Sequence, residues 1–184
     1  AHNLLNFVDE MLLINQFEFD SLPFVPEIDN VVAYCQGFYN MFTQYYELEE
    51  HNFVLDVPDK AIYLNFDPRL MERMLNNLVS NAIKYSPDGG KITLRIQKDT
   101  ECTYLSVQDE GIGIPEKNIA SLYDMFQRAD NIGDIRGYGL GLTIVKKVVD
   151  IHDATIAVDS EVGRGTTFKV SFKNRPPKQI SSVL

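Results

Sequence analysis

Apolar positions along this chain switch between a helical period and strict alternation, and the switches outline its elements. Over 1–18, Leu4, Leu5, Val8, Met11 and Leu12 recur with acidic residues between them. That predicts a helix with one apolar stripe, too short to stand alone in water. A break at Asp20-Ser21-Leu22-Pro23, with Pro26 close behind, precedes a long predicted helix over 27–49 carrying Val31, Val32, Tyr34, Cys35, Phe38, Tyr39 and Phe42. Alternation then predicts strands over 53–57 and 61–65, separated by Pro58-Asp59-Lys60. A second long helix over 67–85 gathers Leu70, Met71, Met74, Leu75, Leu78, Val79, Ala82 and Ile83 on one face.

Ser86-Pro87-Asp88-Gly89-Gly90 turns the chain into a strand over 91–98, and a further strand over 102–109 follows. A helix over 116–126, a polar segment from Ala129 to Arg136, a helix over 139–152 and strands over 154–159 and 166–173 complete the pattern. Tyr123 and Phe126 read as core. Strands and helices are mixed without strict βαβ alternation, so the expected fold class is α+β. Adjacent strands imply antiparallel hairpins, in a mostly antiparallel sheet with helices on one face. From Asn174, with Pro176-Pro177, the chain reads as a tail or linker.

Composition narrows the function. At 184 residues and 45% apolar content, the chain can bury a core of its own. Its formal net charge of −9 lacks the clustered Lys and Arg of a nucleic-acid or anionic-membrane footprint. No apolar run reaches the length of a membrane span, and Asp9, Glu10, Glu18 and Asp20 do not suit a signal peptide. Cys35 and Cys102 lie far apart without metal-type spacing and read as reduced thiols, which suits a cytoplasmic protein.

Three short islands carry the chemistry. In Asn77-Leu78-Val79-Ser80-Asn81-Ala82-Ile83-Lys84-Tyr85, the residues Asn77, Asn81 and Lys84 fall at i, i+4 and i+7 and share one stripe opposite the apolar face. The Asn81 amide oxygen is a hard, neutral ligand suited to Mg²⁺, which keeps its waters and phosphates and takes few protein ligands. Lys84 is placed for phosphate charge, and Tyr85 for a ring face. The same stripe also reads as the solvated side of an amphipathic helix. In Asp109-Glu110-Gly111-Ile112-Gly113-Ile114, an acceptor-only carboxylate at a strand end suits an adenine amine, and Gly111 and Gly113 let a planar base approach; an ordinary Asp-x-Gly turn is the alternative. In Gly137-Tyr138-Gly139-Leu140-Gly141-Leu142, the glycines would expose amides at a helix N-terminus for phosphates, or serve only as a hinge. No P-loop and no G-x-G-x-x-G dinucleotide fingerprint occurs. Arg128, with Asn131, Gly133, Asp134 and Arg136, opens a segment suited to a lid. Thr166, in the turn Gly163-Arg164-Gly165-Thr166, could reach the base.

These islands, in this order, resemble the ATP-binding catalytic domain of bacterial-type sensor histidine kinases. Asn77 to Tyr85 is similar to that family's N box, Asp109 to Gly113 to its first glycine box, Tyr123 to Arg128 to its Phe box and Gly137 to Leu142 to its second glycine box. The resemblance covers about 50–173, and Ser160 to Phe168 is similar to the family's closing stretch. It implies a two-layer α/β sandwich of the Bergerat type, shared with gyrase, mismatch-repair ATPases and a heat-shock chaperone. It also implies ATP and Mg²⁺ as cofactors. The roles implied are Asn81 on the metal, Lys84 and Arg128 near phosphates, Tyr85 on the purine and Asp109 on its amine. By the same resemblance the glycines Gly137, Gly139 and Gly141 would form the phosphate-lining end of the lid, and Ile114, Tyr138 and Leu140 would join them in binding the nucleotide.

In hydrolytic relatives, the position four before the metal Asn resembles a Glu that activates water. Asn77 stands there instead and cannot act as a base, which favours transfer over hydrolysis. None of His2, His51 (in an expected turn) or His152 (near the last helix end) fits the family's phosphoacceptor pattern. Residues 1–20 resemble the end of the second dimerisation helix, ahead of a catalytic domain over 21–174 and a tail over 175–184. The resemblance implies phosphotransfer helices and a response-regulator receiver domain as partners, and a full-length protein that is free or membrane-anchored. An ATP-binding sensing module without transferase activity is the competing reading.

Overall fold

Asn30 and Asp67 set where the two long helices begin, and the sheet follows from what those helices cover. In the computed structural model, residues 2–19, 21–45, 51–86, 89–131 and 138–174 are described, with side chains from Phe7 onward. Helix α1 spans His2–Glu18. The stretch expected to open a helix at 27 is instead a strand, β1 (Glu27–Asn30), followed by α2 (Val31–Tyr45). Asn30 explains the shift. Its Oδ1 accepts from the Val32 and Ile62 amides, both at 3.2 Å, so it caps α2 and ties it to the segment ahead of β3 (Tyr63–Phe66). The helix expected to reach 49 is described only to 45.

The strands around Pro58 also part company. Strand β2 (His51–Asp56) and β3 do not form a hairpin: β1 and β3 make a separate antiparallel pair, while β2 joins the main sheet in parallel with β4 (Gly90–Lys98). His51, expected in a turn, is the first residue of β2. The main sheet has the order β2-β4-β5-β7-β6, with β5 at Cys102–Gln108, β6 at Thr155–Glu161 and β7 at Gly165–Lys173. Every pairing after β2–β4 is antiparallel. The α+β fold class and the mixed, mostly antiparallel sheet are as expected.

Helix α3 (Pro68–Lys84) starts with Asp67 as N-cap and a proline in its first turn, and α5 (Gly141–Ile151) packs beside it. Their apolar faces and the inward residues Ile92, Leu94, Leu105, Val107 and Val170 form one core, which Ile14 of α1 and Phe42 of α2 also enter. The opposite sheet face carries the exposed Arg95–Asp56 pair and Lys169 over the Tyr104 ring. The domain is therefore a two-layer sandwich. The helix expected over 116–126 shrinks to α4 (Glu116–Ile119) and a run of turns, in which Leu122 bonds back to Ile119 and Asp124 to Ser121. The run ends at Phe126, which takes a left-handed backbone (φ 64°) and donates its amide to the Gly139 carbonyl. Phe126 is 56% exposed, so it is not core; Tyr123 is half-buried.

Candidate functional site

The loop after β5 builds one end of a cavity of about 620 Å³. The Asp109 amide donates to the Thr166 carbonyl (2.9 Å), and Asp109 Oδ1 accepts from the Gly111 and Thr166 amides at 2.9 and 3.1 Å. Both bonds land on one oxygen; Oδ2 has no partner among the described residues. Asp109 is only 7% exposed. Burial pushes its carboxyl above the usual range, and the two amide bonds pull it back only partly. It is a carboxylate held in place by one oxygen and left needy at the other.

Glycines make that placement possible. At Gly113 (φ 66°) a Cβ would lie 2.1 Å from the Glu161 carbonyl, so only glycine lets this loop settle on the β6–β7 hairpin. Gly111 sits differently from the expectation: a Cβ there would lie 2.2 Å from the Tyr85 carbonyl, and the residue packs against the end of α3 instead of lining the cavity.

The other end is built by α3 and the start of α5. Asn77, Asn81 and Lys84 all line the cavity, as one helical stripe should. Asn77 Nδ2 donates to the Arg73 carbonyl (2.8 Å), and its Oδ1 lies where a Cβ on Gly141 would be, 2.6 Å away. Gly141 thus lets α5 close on α3. Lys84 Nζ donates to the Tyr85 hydroxyl (2.9 Å) and stands 4.5 Å from that ring's centroid. Helix α5 begins at Gly141, two residues later than expected, because Gly139 is left-handed (φ 71°). No side chain among the described residues caps it, so the amides of its first turn are available to an anion beside the cavity.

Ile114, Arg128, Tyr138, Gly139, Leu140 and Thr166 line the same cavity; Gly137 lies outside the described residues. Three residues that shape the site went unnoticed in the sequence. Glu10 of α1 reaches the cavity; burial raises its carboxyl, against the opposing charges of Lys84 and Arg73. Phe7 of α1 packs on Tyr138, with ring centroids 4.5 Å apart. Nothing in a local pattern signals such a long-range approach. Ser160, discussed below, is the third: it interrupts the inward series Ile156, Val158 with a hydroxyl, a signal visible in the alternation of β6.

A Mg²⁺ ion fits the donor set in one way only. No group of three or more His, Cys, Asp or Glu residues able to hold a metal occurs among the described residues. The Asn81 side chain, half-buried on the cavity wall, makes no hydrogen bond among them and offers one neutral oxygen. That suits an ion arriving with phosphates attached.

A two-layer sandwich with a carboxylate at one end of a cavity and an asparagine–lysine stripe with open helix amides at the other defines a nucleotide-binding class of domain. The family model described as "Histidine kinase-, DNA gyrase B-, and HSP90-like ATPase" matches residues 66–176. The chain belongs to this family, as an ATP-binding catalytic domain of the histidine-kinase type. It is 35% identical over 180 residues to the sensor histidine kinase WalK of Bacillus subtilis, covering 94% of this chain and 29% of that protein. To the phosphate regulon sensor protein PhoR of Pseudomonas aeruginosa it is 33% identical, covering 100% of this chain and 41% of the relative. The structure superposes on the mycobacterial sensor histidine kinase MprB with a TM-score of 0.69 at 27% identity, over 83% of this chain and 99% of that one. The chain spans less than half the length of these two curated relatives.

Proposed function

We propose that the chain binds Mg-ATP in this cavity and presents the γ-phosphate to a histidine on dimerisation and phosphotransfer helices outside the described residues. The observation that carries the reading is the polarity of the cavity: an unpartnered carboxylate oxygen at one end, and Asn81, Lys84 and uncapped amides of α5 at the other. Asp109 Oδ2 accepts from the adenine amine, while Ile114 and Tyr85 flank the ring. Lys84, Arg128 and the Gly139–Gly141 backbone neutralise and align the phosphates. Asn81 would hold the metal, which would supply neutralisation of phosphate charge. Asn77 cannot take a proton from water, and its amide is committed to Arg73, so the site aligns phosphate for an external nucleophile.

Neither described histidine side chain reaches the cavity: His51 contacts the Ser86 carbonyl and His152 caps the far end of α5. In this reading residues 1–20 belong to the second dimerisation helix, 21–174 form the catalytic domain and 175–184 are a tail or linker. The full protein then works in the cytoplasm with a response-regulator receiver domain. The decisive experiment mixes the chain with a separate helix pair carrying an acceptor histidine and radiolabelled ATP. Mg²⁺-dependent label on that histidine is expected. ATP binding without any label transfer would leave a sensing module and sink the kinase assignment.

A further inference from the structure

Ser160 makes three hydrogen bonds with one hydroxyl. Its Oγ accepts from the Ile114 amide (2.8 Å), lies 3.0 Å from the Gly165 carbonyl oxygen and 2.9 Å from Thr166 Oγ1. Residues 160 and 166 face each other across the β6–β7 ladder, so the contact is set by strand register. A serine hydroxyl has one proton and two lone pairs. The Gly165 carbonyl can only accept, so the Ser160 proton goes there. The Ile114 amide can only donate, so it takes one lone pair. The second lone pair must then receive the Thr166 proton; the reverse choice would leave two bare acceptors, Ser160 Oγ and the Gly165 oxygen, in contact.

The Thr166 hydroxyl therefore has no proton left for the cavity it lines and shows it lone pairs alone. The Thr166 amide, meanwhile, donates to Asp109 Oδ1 and so holds the neighbouring carboxylate. Asp109 and Thr166 both line the cavity, and the oxygens they have left to offer, Asp109 Oδ2 and Thr166 Oγ1, are both acceptors. A primary amine has two N–H donors to match them.

We propose that Ser160 is a specificity-determining positioning residue: by taking the Thr166 proton it keeps the base end acceptor-only and selects a ring bearing a primary amine. The proposal rests on the ATP reading above. Ser160 touches no ligand itself and acts through Thr166 and the Ile114 loop.

The test uses this chain and two nucleotides, ATP and purine riboside triphosphate, which lacks only the 6-amine. The ratio of their affinities reads amine recognition, and a merely structural loss lowers both without moving it. Ser160→Ala frees the Thr166 proton and should reduce the ratio about tenfold, the scale of one hydrogen bond. Ser160→Thr keeps the hydroxyl and should preserve the ratio. On a Thr166→Ala background, Ser160→Ala should change it no further. Equal weakening of both nucleotides by Ser160→Ala, an unchanged ratio, or a change that persists without Thr166 overturns the proposal. An unsubstituted chain that ignores ATP would instead remove the ATP reading, and this inference with it.

Discussion

Asp67 and Asp109 are both buried aspartates beside an element terminus, and the chain treats them in opposite ways. Asp67, 0% exposed, accepts from the amides of Val25, Arg69 and Leu70 and from the Arg69 guanidinium, so both of its oxygens are in use. Burial pushes its carboxyl up, but the bonds from Arg69, Val25 and Leu70 outweigh that and hold it below the usual range. Asp109 receives two amides on one oxygen, and burial wins. A carboxylate saturated by its own chain is architecture. One left short of donors is kept ready for a donor from outside.

The largest effect should come from removing the saturated one. Asp67→Ala deletes the α3 cap and leaves the Val25 amide without its acceptor, which should cost about 3 kcal/mol of stability. ATP affinity of the folded fraction should hold. Urea unfolding and calorimetry on one preparation check both. Asp109→Asn should do the converse. Unfolding should be as hard as before or harder, because a buried charge short of donors is gone. ATP affinity should fall about 100-fold, or roughly 2.7 kcal/mol, because the substituted amide weakens a charge-assisted acceptor. The contrast collapses if Asp109→Asn unfolds the domain as readily as Asp67→Ala does, or leaves ATP affinity untouched.

Acid separates the pair more gently. The depressed Asp67 contributes stability that is complete above about pH 4, the unfolded value, and is lost as pH falls through its lower folded value. The raised Asp109 runs the other way. Its stabilising share is complete below about pH 4 and disappears as pH rises through its higher folded value. Comparing the unfolding midpoint of wild type and Asp109→Asn between pH 7 and 4 isolates that share. The wild-type midpoint minus that of the substituted chain should rise on acidification; a constant difference would show that Asp109 titrates normally.

Asp109 was legible in the sequence and Asp67's role was not, for a physical reason. A carboxylate between an apolar strand and two glycines carries its chemistry in local spacing, as do Asn77, Asn81 and Lys84 on one helical stripe. Asp67 draws its meaning from Val25, 42 residues away. The same distance effect hid other features. The segment 27–30 carries helix-compatible residues, yet its pairing with Tyr63–Phe66 and the cap at Asn30 make it a strand. Nothing local told β2 to run parallel beside β4 in place of turning back on β3. Phe126 looked like core because it is apolar, whereas its left-handed backbone and bond to Gly139 hold it at the surface.

The smallest expected effect concerns a second lock on Asp67. His152 Nε2 accepts from the Asp67 amide (3.0 Å), so the proton sits on Nδ1, which donates to the Val148 carbonyl (2.7 Å). Phe24 and Phe172 meet the ring edge-on. Burial lowers the imidazole's pKa, and neither the Val148 bond nor the Asp67 charge fully offsets it. Protonating Nε2 would set an N–H against the Asp67 N–H. Stability is therefore complete above about pH 6.5, the unfolded value, and declines as pH falls from there toward the lower folded value. His152→Gln keeps an acceptor without a titrating ring, so its urea midpoint should not decline over that interval while the wild-type midpoint does. Parallel curves would mean that the corner around Asp67 tolerates the charge, and that its rigidity comes from the carboxylate alone.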